Sequence, residues 1–599
     1  MISCIAAAQT ERDSTKLLED VVIRANRIQV GFDEWSSSII VIQPRDLAQI
    51  PSISVADLLH YSAGVDIRTR GANGVQADVG IRGSTFDQVL ILINGIKISD
   101  PQTGHHSLNL PVDMDNVERI EILKGPAARI FGQNAFAGAI NIITKTPEES
   151  FVKAGVIAGD YGLGGIRVSA SMIEKTGRKH YLYANRDFSD GYQYNTDYVM
   201  SNYFYQNNWE SKAGSWGILA GLTDRTFGAN GFYASPQFQD QRESVQTSLT
   251  AISLSTRPSD NMTLLHRLYW RRNEDDYVFN WKNPTAYRNL HTSNTAGYEA
   301  NASINNKLGI SGFGVDINQL WLTSTNLGNH QRTVATLFAE HRFEWADGRI
   351  DVTPGAQLNY YSDFGFNVFP GIDAGFIINR HVKAFGNWGY TYRVPTYTDL
   401  YYSDPANLGN PNLQPEYAVA YEAGVKLMQL RWLSGQASYF IRDGRNIIDW
   451  TKDQATDPWQ PANLTQVVMQ GVDMNFTLGK PVKKGLFDRV DLGYTYINAE
   501  KLNDVIFSRY ALENLRHQVI ASLFLRYGRN ISHAINYRYA DRVNLDDYHL
   551  VDTRLSWMSR SFTAFVDVTN IFDVTYKETN LVTMPGRWFK AGLAFTFFN

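Results

Sequence analysis

The sequence predicts a transmembrane β-barrel of about 22 antiparallel strands behind an N-terminal α+β domain, and three observations carry that reading. No stretch offers about 18 consecutive apolar residues, so a membrane-spanning helix is excluded. Aromatic residues make up 13% of the chain, with 32 Tyr, 31 Phe and 13 Trp, rich for a soluble enzyme and expected where aromatic girdles sit at both membrane interfaces. The C-terminal part also alternates apolar with polar positions at period 2. A membrane chain without apolar helices must close its sheet, because hydrocarbon offers unpaired backbone groups no partner.

Residues 1–18 read as a signal-peptide remnant and a polar, disordered N-terminus: MISCIAAAQ ends on an A-x-A-type site at Ala6 and Ala8. The lone Cys4 excludes a disulfide framework and any multi-cysteine metal site. Glu19, Asp20, Val21, Val22 and Ile23, running on to Ala25, make a short β-prone segment without a neighbouring partner. Such a segment suits edge-on pairing with a strand of another protein. Near charge balance, 56 basic against 60 acidic residues, leaves no nucleic-acid footprint.

Residues 26–150 form the α+β domain. Ile39–Ile42 is a strand, Pro44 opens a helical turn, and Ser54 with Asp57 makes a capping box for a second helix closed by Gly64. Strands follow at Val65–Arg70, 79–82, Val89–Ile93, 119–124 and 139–144, with Asn94-Gly95 as a hairpin signal. Between them, residues 99–110 form a polar loop, and Gln102, Thr103, His105, His106 and Asn109 can hydrogen-bond a ligand rim or, through an imidazole, ligate a metal. On an extended segment His105 and His106 would point to opposite sides. Arg82, Arg119, Glu121, Lys124 and Arg129 put charge on strands that cannot all face water, so they need partners.

Residues 151–599 allow about 20 residues per strand and connection for 22 strands. In the last strand Phe589, Ala591, Leu593, Phe595 and Phe597 form an outward row; near it, Ile531, His533 and Ile535 alternate with Ser532, Ala534 and Asn536. Long connections at 187–197, 227–241, 272–281 and 401–412 are acidic and aromatic. Asp187, Asp190 and Asp197 could supply hard oxygens for calcium, or simply form a solvated loop face.

Several blocks carry a family resemblance: Ile81-Arg82-Gly83, the run VLILING ending at Gly95, NVERIEILKGP ending at Pro126, and AGAINIITK ending at Lys145. Further on stand YRVPT ending at Thr396, GNPNLQPE ending at Glu416, and VTNIFD ending at Asp573. In order and approximate spacing these resemble the TonB-dependent outer-membrane receptors and transporters, and the layout is most similar to their cobalamin and ferric-chelate branch. The resemblance implies that residues 26–150 plug the barrel lumen and that residues 19–25 are a TonB box, captured by TonB and its inner-membrane proton-motive-force complex. It implies that Arg82, Arg119, Glu121, Lys124 and Arg129 lock the plug to itself and to the wall. The loop holding His105 and His106 would touch a small-molecule metal chelate, with outer-membrane lipid around the barrel and a surface lipoprotein as an optional partner. No catalytic constellation is legible and no cofactor is required. Haem or another metal complex is the alternative cargo, and a passive or adhesive barrel the alternative role.

Overall fold

The computed structural model describes residues 28, 31, 34–126, 128–233, 237–428, 430, 432–479, 485–501, 507–510, 513–579 and 582–598; the side chains of residues 128, 129 and 465 are not among those described. The segment from Glu19 to Ile23 and the Arg129 side chain thus lie outside the described residues.

The N-terminal domain is built on β1 (Ile39–Ile42), β2 (Val65–Arg70), β3 (Gln76–Ile81), β4 (Val89–Ile93), β5 (Ile96–Lys97), β6 (Val117–Lys124) and β7 (Gly138–Thr144). The main sheet runs β1-β6-β7-β4-β5 with β4 and β7 parallel, and β2 pairs with β3 alone. The run VLILI of β4 does not alternate because both its faces are covered. Val89, Ile91 and Ile93 join one apolar cluster with Leu58 and Leu59, while Leu90 and Leu92 join another with Ile39 and Phe131. Asn94 and Gly95 take φ of 51° and 81°, the left-handed pair of a tight hairpin turn, and connect β4 to β5. The helix Val55–Leu59 opens with the capping box: Ser54 Oγ accepts from Asp57 N, and Asp57 Oδ2 accepts from Ser54 N, each at 3.1 Å. It stops at Leu59, ahead of Gly64, whose φ of 75° serves the turn into β2.

From Phe151 onward the chain forms a closed antiparallel barrel of 22 strands. The last strand, Trp588–Phe598, closes it by pairing with the first, Phe151–Gly159. Phe589, Ala591, Leu593, Phe595 and Phe597 face outward as the alternation requires, whereas Lys590 turns inward and donates to Asn73 at 2.7 Å. Connections at one rim are short, such as 212–213 and 260–261; the opposite rim carries 229–241, 279–287, 394–415 and 570–587. Trp209 stacks on Trp216 and Phe343 on Trp345 beside the short turns, an aromatic band at that interface. The N-terminal domain fills the lumen: its apolar cluster includes inward wall residues Tyr181, Tyr183, Phe204 and Leu249.

Candidate ligand chamber and plug lock

Arg82 ends the β3 hairpin at a φ of 50° and turns to the wall. Its Nη2 donates to Glu422 Oε1 at 2.7 Å and to Ser438 Oγ at 3.0 Å, and its Nε to Asp473 Oδ2 at 3.2 Å. Lys124, at the end of β6, donates from Nζ to the same Asp473 oxygen at 2.6 Å. Glu422 also accepts from Ser38 and Asn387. All four charged groups are buried. Two cations thus face two carboxylates, the condition under which buried charge is tolerable. Burial holds the Lys124 amine below the ordinary lysine value, with Asp473 restoring part of it. Burial also opposes the Arg82 charge, but Glu422 and Asp473 outweigh it and raise its pKa. Arg119 turns elsewhere and pairs with Glu118 and Glu121 on its own strand, each at 2.9 Å.

Above this lock lies the loop 99–110. Its centre, Gly104–His106, is a 3-10 turn rather than an extended segment, capped by Thr103, whose hydroxyl accepts from His105 N. Gly104 donates its amide to Asp87 Oδ1 at 2.7 Å, and a side chain there would collide with that oxygen, so only glycine fits. The outer loop 394–415 fixes the same stretch through its backbone: Tyr397 N donates to Pro101 O and Thr398 N to Gln102 O, both at 3.0 Å.

The two histidine rings diverge. His105 stacks on Phe86 with centroids 4.0 Å apart, and its Nδ1 lies 2.7 Å from Asp78 Oδ1. Burial lowers its pKa despite that carboxylate. His106 turns to the wall, its Nε2 3.1 Å from Asp275 Oδ2 and its Nδ1 2.9 Å from Asn109 Nδ2. Burial opposes its charge as well, yet Asp275 outweighs burial and takes the ring up to about 9. Gln102 donates to Asp275 Oδ2 at 3.0 Å, and Asn109 Oδ1 accepts from Arg225. Asp87 is pushed up to about 7 by burial, with Arg393 opposing and Asp399 and Glu416 adding to the rise.

His105 borders a group that no single stretch of sequence reveals. Tyr233 and Tyr510 stand edge-on to its ring, and Arg70, bonded to Asp78 at 2.7 Å, lies over Tyr233. Arg509 stacks over Trp459, Trp450 and Tyr510. This aromatic and cationic wall sits at the long-loop rim and draws on β2, the turn after β3 and three outer connections; only Tyr233 falls within a loop whose composition marks it. The carboxylates Asp187, Asp190 and Asp197, which the sequence offers as calcium ligands or a solvated loop face, form no three-ligand group among the described residues. Asp187 sits on a strand, turned inward to Arg167 and Asn185, and Asp197 pairs with Arg242 at 2.9 Å.

A closed barrel with short turns at one rim, long loops at the other and a polar-locked domain in its lumen defines a gated outer-membrane receptor. Residues 159–571 match the family "TonB dependent receptor-like, beta-barrel" and residues 33–139 match "TonB-dependent Receptor Plug Domain". The chain belongs to the TonB-dependent receptors, multi-pass β-barrels of the outer membrane. It is 24% identical over 634 residues to the vitamin B12 transporter BtuB of Photobacterium profundum, covering 96% of this chain and 95% of the relative. With BtuB of Vibrio vulnificus it shares 24% over 606 residues, 97% and 94% covered. Among solved structures, the siderophore receptor PirA of Pseudomonas aeruginosa superposes with a TM-score of 0.75 at 17% identity, covering 94% of this chain and all 100% of that one. The copper transporter OprC gives 0.79 at 15% identity, covering 94% and 98%. At these identities the structures speak to the fold.

Proposed function

We propose that the protein imports a metal chelate of the cobalamin or ferric-siderophore class across the outer membrane, with TonB pulling on the segment Glu19 to Ile23. The lock carries this reading: Arg82 and Lys124 hold the plug through ion pairs to Glu422 and Asp473, contacts that water can replace when the plug is drawn away. An apolar seam would resist that exchange. The chamber adds support, since rigid aromatic side chains with guanidinium groups grip a large, polar-rimmed ligand at low entropic cost. The full-length likeness to vitamin B12 transporters favours cobalamin as the first ligand to try.

The experiment is uptake of labelled cobalamin, ferric siderophores and haem in a strain lacking its own receptors, with and without TonB. Uptake of one such chelate that disappears without TonB supports the reading; TonB-independent entry would make the barrel a passive pore. Val22→Pro removes a backbone donor from the pairing segment, so transport should be lost while surface binding of the same chelate persists. Wild-type transport in that variant would contradict the assignment of residues 19–25.

A further inference from the structure

Beside the chamber, on the far side of the 3-10 turn, three potential ligand atoms from His106, Glu243 and Asp275 lie within 4.8 Å of one another, the one such group among the described residues. The wall half is set by strand register. The strands Arg242–Ser259 and Met262–Val278 are neighbours, Val245 stands opposite Asp275, and Glu243 is the next inward position on its strand. The plug half is set by the turn, which aims His106 outward from β3 while His105 turns back over Phe86.

A second observation points independently to a ligand. Glu243, Asp275 and Gln102 are 3%, 5% and 4% exposed, yet Glu243 Oε2, Asp275 Oδ1 and Gln102 Oε1 accept no hydrogen bond. Buried acceptors are rarely left so, because each loses its bond to water without replacement. Tyr233 hydrogen-bonds Glu243, and His106 and Gln102 engage Asp275 Oδ2, yet one oxygen of each carboxylate and the Gln102 amide oxygen stay bare beside one histidine, where a single cation would satisfy them together. Arg271, on the same strand as Asp275, pairs through Nη1 with Asp100 at 2.9 Å rather than with Glu243 or Asp275. His291, the nearby second imidazole, bonds Ser324. His291 stands directly across from Asp275 in the strand register, so His106 is the plug's imidazole at a carboxylate pair that a wall imidazole also borders.

We infer that His106, Glu243 and Asp275 form a divalent metal site that bridges the plug to the barrel wall, with the Gln102 amide oxygen or a water completing it. One imidazole nitrogen and two carboxylate oxygens suit a borderline first-row ion such as zinc, whose ligands sit about 2.0–2.2 Å from the metal. That geometry draws the three ligand atoms slightly closer than they stand. Metal at Nε2 leaves the ring proton on Nδ1, so the Asn109 amide rotates to present its oxygen there, giving up its bond from Arg225 Nη1 at 3.3 Å. The bound ion fastens the turn carrying His105 to two adjacent wall strands, and so couples metal supply to the shape of the chamber. The alternative occupant is a single proton shared between the two carboxylates.

The test uses the full-length receptor purified in detergent, stripped with chelator and titrated with Co2+ followed by visible absorption, then with Zn2+ in competition. Expected are one saturable equivalent with nitrogen–oxygen ligation, displacement by Zn2+ but not by an equal concentration of Ca2+, and binding weakened about tenfold or more in Glu243→Gln and in His106→Gln. His105→Gln should bind as wild type. Glu243→Gln is close in shape, so a second readout comes from that variant: it should lose the rise in plug melting temperature that Zn2+ gives the wild type. Absence of a saturable equivalent, equal competition by Ca2+, or loss of binding in His105→Gln as large as in His106→Gln would overturn the site. Chelate uptake is scored separately, so failure here leaves the transport reading standing, and failure of uptake leaves this one.

Discussion

Midway along the wall, plug and barrel meet through charges that close on themselves; at the outer rim they meet through groups left half satisfied. In the lock, Arg82 and Lys124 balance Glu422 and Asp473, and serine and asparagine side chains occupy the remaining carboxylate positions. At the rim, Glu243, Asp275 and Gln102 keep bare oxygens, Asp87 is held up at about 7, and His105 and Arg70 border the half-buried rings of Tyr233 and Tyr510. In the lower contact every oxygen of Glu422 and Asp473 is engaged, although Arg82 Nη1 has no partner; in the upper one the carboxylates themselves keep bare oxygens. On the proposed function, holding the plug and contacting cargo fall at different levels of the same interface.

The largest expected effect comes from unbalancing the lock. Asp473→Asn leaves Arg82 and Lys124 sharing one carboxylate, and breaking a buried pair costs about 3–5 kcal/mol. The plug should melt out of the barrel at markedly lower temperature, and cells should become permeable to large antibiotics, while affinity for the chelate changes little. Unchanged plug stability would show that the apolar contacts with Tyr181, Tyr183 and Phe204 hold the plug instead.

His105→Ala should do the reverse. Losing its place beside Tyr233 and Tyr510 removes about 1 kcal/mol of ligand contact, a several-fold weaker Kd, while loss of the Phe86 stack and the Asp78 contact lowers plug melting far less than Asp473→Asn does. Equal loss of stability and affinity would erase the division between the two levels.

The smallest effect is a pH dependence at Asp87. Its folded-state value of about 7 lies above the ordinary 3.8, so the docked form binds more protons between these limits. The docking contribution is complete below about pH 4, falls as pH rises, and is lost above about 7. After correction for intrinsic rates, the Tyr397 and Thr398 amides bonded to Pro101 and Gln102 should exchange faster at pH 8 than at pH 6, and Asp87→Asn should flatten that difference.

What could be read from the sequence was local or periodic. The capping box at Ser54, the Asn94-Gly95 turn and the apolar run of β4 depend on neighbours a few residues away, and the outward row of the last strand needs only period 2. Arg82 and Lys124 stood out as charges on strands without access to water. Their wall partners did not, because Glu422 and Asp473 are two among many inward polar positions and lie hundreds of residues away. The loop 99–110 was expected to be extended, but the Asp87 carboxylate at the Gly104 amide and the Thr103 cap wind it into a 3-10 turn. Asp187, Asp190 and Asp197 form no three-ligand group among the described residues: Asp187, still on the strand, turns into the lumen toward Arg167, and Asp197, beyond it, pairs with Arg242. Tyr510 and Arg509 reach the chamber from an outer connection far along the chain, where no local pattern announces them.

The most direct measurement asks whether the lock opens when the receptor is energised. Ser438 is buried and accepts from Arg82 at the centre of the lock, and the single native cysteine, Cys4, gives little background. A cysteine introduced by Ser438→Cys should stay unlabelled by a small hydrophilic maleimide in cells lacking TonB or lacking ligand, and become labelled only when TonB, the proton gradient and the transported chelate are all present. Labelling that is equally fast without TonB, or absent throughout active transport, would contradict release of the plug through this lock.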